Sequence, residues 1–156
     1  MKIIQGVTDP AVAVIMCVQE AVKRALREGL KKGPILNSQE KLIEYIRVSI
    51  GFSAKEAVQI IFLDTQLHFI GEEVYFGTIN EVPLYEREVV EKALARKSAS
   101  IILSHNHPGG SLEPSEGDKV MTMELASACQ SVNIKLKDHI IITDKSYFSF
   151  KKNGLL

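Results

Sequence analysis

The 156-residue chain has little with which to build a covalently stapled, membrane-bound or polyanion-binding protein. Its two cysteines, Cys17 and Cys129, are too few for a disulfide scaffold. Each sits within an apolar helical pattern, so both are expected as buried thiols in a reducing compartment. No uninterrupted apolar run approaches the ~18 residues of a membrane span. The start, Met1-Lys2-Ile3-Ile4-Gln5-Gly6, lacks the apolar centre of a secretory signal, and the expected location is the cytoplasm. Net charge is zero, without the basic surplus that phosphate contacts demand of a nucleic-acid binder. Internal repeats and low-complexity tracts are also missing.

What is present is an ordinary globular composition, 46% hydrophobic and 24% charged, at a length that makes about one domain. The charge is unevenly spread. Residues 1–52 carry eight basic and five acidic side chains, 53–129 six and twelve, and 130–156 five and two. The acidic centre disfavours a phosphate backbone there and suits a cationic or neutral polypeptide better.

Asp9-Pro10 opens a helix as an N-cap followed by proline at the first helical position, and the pattern runs over 9–29. Val14, Val18, Ala21, Val22, Ala25 and Leu26 form one stripe. With Val12, Ile15 and Met16 the first turns are apolar nearly all round, which implies burial or a partner surface such as a second copy. Lys31-Lys32-Gly33-Pro34 reads as a linker, dividing a segment 1–34 from a domain over 35–156.

A second helix is expected from Asn37 or Ser38 to Gly51. Val58 to Asp64 has strand character, and Phe69 to Ile79 is its expected partner, with Glu72 and Glu73 inside it. Tyr85 to Lys97 reads as a helix and Ala99 to Leu103 as a buried strand. A helix over Ser115 to Gln130 and short strands at Asn133–Lys137, Ile140–Ile142 and Tyr147–Phe150 complete an α/β or α+β pattern.

The stretch that organises the rest is Ser104-His105-Asn106-His107-Pro108-Gly109-Gly110, running on to Ser115-Glu116-Gly117-Asp118. Histidines at i and i+2 leaving a strand project to the same side. Imidazole nitrogen and carboxylate oxygen are zinc ligands, and a hydrolytic zinc site uses three of them plus a water. His105, His107 and Asp118 would supply the set. Ser115 and Asp118 also have the spacing of a capping box, and both roles can coexist. Hydrolysis needs a carboxylate near the metal to move protons. Glu56, Glu72 and Glu73 are the candidates, and Ser53-Ala54-Lys55-Glu56 has a capping spacing of its own.

The spacing His105-Asn106-His107, seven residues, Ser115, two residues, Asp118 resembles the JAMM (MPN-type) metalloprotease signature. Leu103 to Pro108, Pro114-Ser115, Asp138-His139-Ile140-Ile141, Phe148-Ser149-Phe150, Gly154-Leu155-Leu156 and Phe76 to Asn80 narrow the resemblance to the RadC family over about 35–156. It implies a cytidine-deaminase-like JAB/MPN sandwich, a mixed sheet flanked by helices. It further implies one zinc ion on His105, His107 and Asp118, Glu56 at the head of the first strand acting on the attacking water, and Ser115 helping to hold the oxyanion. The activity expected is that of a metallopeptidase or isopeptidase. The family also suggests a DNA repair role, for which Lys23, Arg24, Arg27, Lys31, Lys32, Lys151 and Lys152 are the available basic residues. RadC proteins resemble a helix-hairpin-helix module joined to this domain, and Ala11 to Leu26 reads as its remnant. A third expectation is an interaction module that kept the fold without catalysis.

Overall fold

The computed structural model describes residues 9–35, 39–77 and 85–156. Four helices pack on the two faces of one five-stranded mixed sheet. In chain order they are α1 (Asp9–Leu30), α2 (Gln39–Ile46) with a π-helical turn (Arg47–Gly51), β1 (Ala57–Leu63), β2 (Phe69–Phe76), α3 (Glu86–Ala95), β3 (Ser100–Asn106), α4 (Glu116–Ser131), β4 (Lys135–Ile142) and β5 (Tyr147–Ser149). The strand order is β2-β1-β3-β4-β5, parallel only between β3 and β4, which α4 connects.

All seven residues of β1 and all seven of β3 are buried. That is the signature of central strands covered on both sides, and it explains their lack of polar alternation. Strand parity divides the core. Ala57, Ile61, Leu63, Ile102, Ile140 and Ile142 pack with Leu42, Tyr45 and Ile46 of α2. Val58, Ile60, Phe62, Ile101 and Leu103 pack with Val89 and Ala93 of α3 and Leu125 and Cys129 of α4.

Several expectations change. The strand expected to stop at Leu103 continues through Ser104, His105 and Asn106, because β1 and β4 still flank it there: His105 pairs Val58 on one side and Ile141 on the other. The two short strands expected at Asn133–Lys137 and Ile140–Ile142 are the single β4, since Asp138 and His139 stay in register with Ile102 and Leu103. Asp138 is satisfied inside by Ser149 Oγ at 2.6 Å and the Lys151 amide at 3.1 Å, so two polar residues do not break the strand.

The stripe of α1 is not buried in this chain. Val14, Ile15, Met16 and Val18 are each more than half exposed, and only Leu30, with Leu26 partly, joins the core. Cys17 is exposed, against expectation, and Cys129 is buried as expected. The physical reason is that α1 packs on α2 and the π turn, and only its C-terminal end, at Leu26 and Leu30, reaches the core. The start expected for the second helix (Asn37 or Ser38), the end of the strand expected through Ile79 and the loop 79–84 lie outside the described residues.

Candidate metal centre

Three elements bring the site together on the α4 face of the sheet. His105 is the penultimate residue of β3 and fully buried; His107 follows the strand; Asp118 lies in the first turn of α4. His105 Nε2 is 2.9 Å from His107 Nε2 and 3.2 Å from Asp118 Oδ1, and His107 Nε2 is 3.7 Å from Asp118 Oδ2. Ligands about 2.0–2.1 Å from a tetrahedral zinc stand roughly 3.4 Å apart, so these separations bracket what such an ion needs. His105, His107 and Asp118 could therefore hold a metal ion.

The loop after β3 fixes the second imidazole. His107-Pro108-Gly109-Gly110 is a β-turn closed by the Gly110 amide on the His107 carbonyl at 2.9 Å. Proline suits its second position. Gly110 then takes φ +82, a left-handed conformation that glycine adopts without steric cost. The chain curls so that the Ser111 carbonyl meets His107 Nδ1 at 2.8 Å. A carbonyl only accepts, so that nitrogen carries the proton and Nε2 is left as a bare lone pair. The fit to a cation follows from donor chemistry: electron-rich atoms converge, with no proton on His107 Nε2 to separate them.

Asp118 closes the capping box and also turns one oxygen toward His105. Ser115 caps α4, its Oγ accepting from the Asp118 amide at 3.1 Å, while Asp118 Oδ2 accepts from the Ser115 amide at 2.8 Å and from Ser115 Oγ at 2.7 Å. Oδ1 is turned to His105. Burial pushes the Asp118 carboxyl up, but His105 beside it and the bonds from Ser115 outweigh that and hold the group well below the usual carboxylate range. The positive end of the α4 dipole favours the same anion.

Glu56 precedes β1. It stands two residues before Val58, which pairs with His105. No helix follows Ser53, whose Oγ instead bonds the Lys55 amide and carbonyl in a turn, so Glu56 is not part of a helix cap. Asn106, between the two histidines, points the other way and clamps this turn. Its Oδ1 accepts from the Ala57 amide at 2.6 Å, and its Nδ2 donates to the Ser53 and Lys55 carbonyls at 3.1 and 3.2 Å.

The rival carboxylates are engaged elsewhere. Glu72 lies on the opposite face, accepting from Tyr45 and from Gln59 at 2.6 Å, with Arg27 at 3.5 Å. Burial and the Glu72 beside it push the Tyr45 hydroxyl above its ordinary pKa. Glu73 is bound by Arg96 and Lys92.

The sequence reading gave no role to Asn106, Thr122 or His139. His139 Nε2 lies 2.8 Å from His105 Nδ1, and its Nδ1 is 2.6 Å from Thr122 Oγ1. Burial first, then the neighbouring His105, hold the His139 imidazole well below its ordinary pKa. The one sequence signal was the Asp138-His139 pair interrupting an apolar strand.

Known proteins with similar sequences agree with this architecture. A family model described as "RadC-like JAB domain" matches residues 36–155. A UPF0758 protein of Variovorax paradoxus is 35% identical over 158 residues, covering 100% of this chain and 70% of the relative. UPF0758 proteins of Chromobacterium violaceum and Nitrosomonas eutropha are 39% and 38% identical over 152 residues, each covering 97% of this chain and 68% of the relative. With the matching model, the mixed sheet and the convergent His105, His107 and Asp118 all in place, the chain belongs to the RadC-like JAB domain family.

Proposed function

We propose that the chain is a zinc-dependent hydrolase of amide bonds, acting on a polypeptide. The observation that carries this reading is the meeting of two imidazole nitrogens and a carboxylate within 4.8 Å of one another. A zinc ion held by His105, His107 and Asp118 would supply Lewis acidity and a water of near-neutral pKa.

Glu56 is the general base in this reading, taking a proton from the attacking water and returning it to the leaving amine. Its support is its placement at the rim of β1, together with the engagement of Glu72 and Glu73 elsewhere. Ser115 would assist the oxyanion by turning its hydroxyl from Asp118 Oδ2, to which it now donates, toward the substrate oxygen.

The DNA-repair alternative has less behind it. Arg24 and Lys31 pair with Glu20 and Glu28, and Arg27 with Glu72, which lowers the charge they could offer to phosphates.

The test is elemental analysis of the purified protein beside cleavage of a broad peptide library. One zinc per chain is expected, lost in His107→Ala and in Asp118→Ala. Glu56→Gln should keep the zinc and lose roughly 10²- to 10⁴-fold in rate. Cleavage that persists in His107→Ala after its metal is gone would end the proposal.

A further inference from the structure

A hydrogen-bond chain behind His105 has a direction that chemistry fixes from its far end. Thr122 Oγ1 lies 2.5 Å from the main-chain carbonyl of Asp118. That carbonyl can only accept, so the single threonine proton is committed to it. Thr122 Oγ1 must then accept from His139 Nδ1, 2.6 Å away, and this nitrogen carries the imidazole proton. His139 is fully buried, stacked on Phe150 with ring centroids 4.5 Å apart, and bonded to no carboxylate among the described residues. Such a ring holds one proton, so its Nε2 is a lone pair. His105 Nδ1, at 2.8 Å, has to donate into it. A proton on Nδ1 leaves His105 Nε2 as the atom that faces His107 and Asp118.

We propose that His139, backed by Thr122, is a positioning residue that holds His105 in the Nδ1-protonated tautomer and so presents Nε2 to the metal. Ligating histidines usually rest their second nitrogen on a carboxylate, a carbonyl or water. His107 follows that habit through the Ser111 carbonyl. His105, buried in a central strand whose main chain is engaged with β1 and β4, rests instead on a second imidazole. The arrangement also ties the ligand to the helix: the chain runs from β3 through β4 to the Asp118 carbonyl of α4, so two ligands are set by one connected network. This inference rests on the zinc reading for its consequence and on hydrogen-bond polarity alone for its geometry.

Two measurements on the full chain test it. In the metal-free protein, two-bond nitrogen–proton NMR of 15N-histidine should find His139 protonated on Nδ1 and bare on Nε2, with a proton on His105 Nδ1. A proton on His139 Nε2 overturns the proposal. Zinc affinity, by competition with a chromogenic chelator, is then compared across two variants. His139→Phe keeps ring volume and the stack on Phe150 but offers no acceptor, and should bind zinc roughly 10- to 100-fold more weakly. His139→Gln keeps an acceptor for His105 and should stay within a few-fold of the wild type. Wild-type affinity in the Phe variant, or equal losses in both, overturns the positioning role. Should the Phe variant fail to fold, the wild-type tautomers decide. A wild type with the stated tautomers and no zinc affinity refutes the hydrolase reading while leaving the hydrogen-bond assignment standing.

Discussion

Replacing Asn106 by alanine tests the proposed division of labour between metal binding and the turn that carries Glu56. Asn106 is buried, and its three bonds hold the segment from Ser53 to Ala57 against the end of β3. Ala57 is fully buried, so its amide would lose its partner with no water to replace it. Leaving that donor unpaired costs about 1–3 kcal/mol, and the Ser53 and Lys55 carbonyls, nearer to solvent, add about a few tenths each, for a total of about 1.5–3.5 kcal/mol. At this chain length that lowers Tm by about 3–14 °C. Denaturant titration and thermal melts would read the loss directly. Zinc stoichiometry should be unchanged, because Asn106 bonds none of the ligands. Cleavage should fall on the order of 10²-fold, since a misplacement of about 1 Å at Glu56 is enough for that. Stability within about 0.5 kcal/mol of wild type, the range of an inconsequential surface change, would refute the clamp.

The buried His139 makes a pH signature in the metal-free protein. Its folded pKa lies below the ordinary 6.5, so as pH falls through that value the unfolded chain binds a proton that the folded chain refuses. Stability should therefore decline on acidification below pH 6.5, by up to about 1.4 kcal/mol per pH unit from this group, and denaturant melts of His139→Gln should lack that component. Glu73→Gln should leave zinc binding and cleavage intact, whereas Glu72→Ala should cost about 2–3 kcal/mol by stranding the buried Tyr45 hydroxyl, measured by chemical denaturation. One thiol should react in the native protein with a maleimide: exposed Cys17 labels, and buried Cys129, its thiol pushed up to about 11, does so only on unfolding, as peptide mapping would read.

The spacing of His105, His107, Ser115 and Asp118 was legible in the sequence because it is local. A strand fixes i and i+2 on one side, a proline-glycine turn reverses the chain, and a capping box sets the first turn of the following helix. The α/β class was legible for the same reason, since period and turn chemistry act over a few residues. Residue pattern alone left Glu56, Glu72 and Glu73 open, with the resemblance pointing to Glu56; the surroundings of Glu72 and Glu73 were not legible, because their partners Tyr45, Gln59, Lys92 and Arg96 come from other elements. His139 lies 34 residues from His105 in the chain and touches it only because β4 runs parallel beside β3. For α1 the sequence left burial and a partner surface both open, for the converse reason: amphipathic pattern reports what a helix could bury, and only the packing of α1 on α2 and the π turn decides what it does bury.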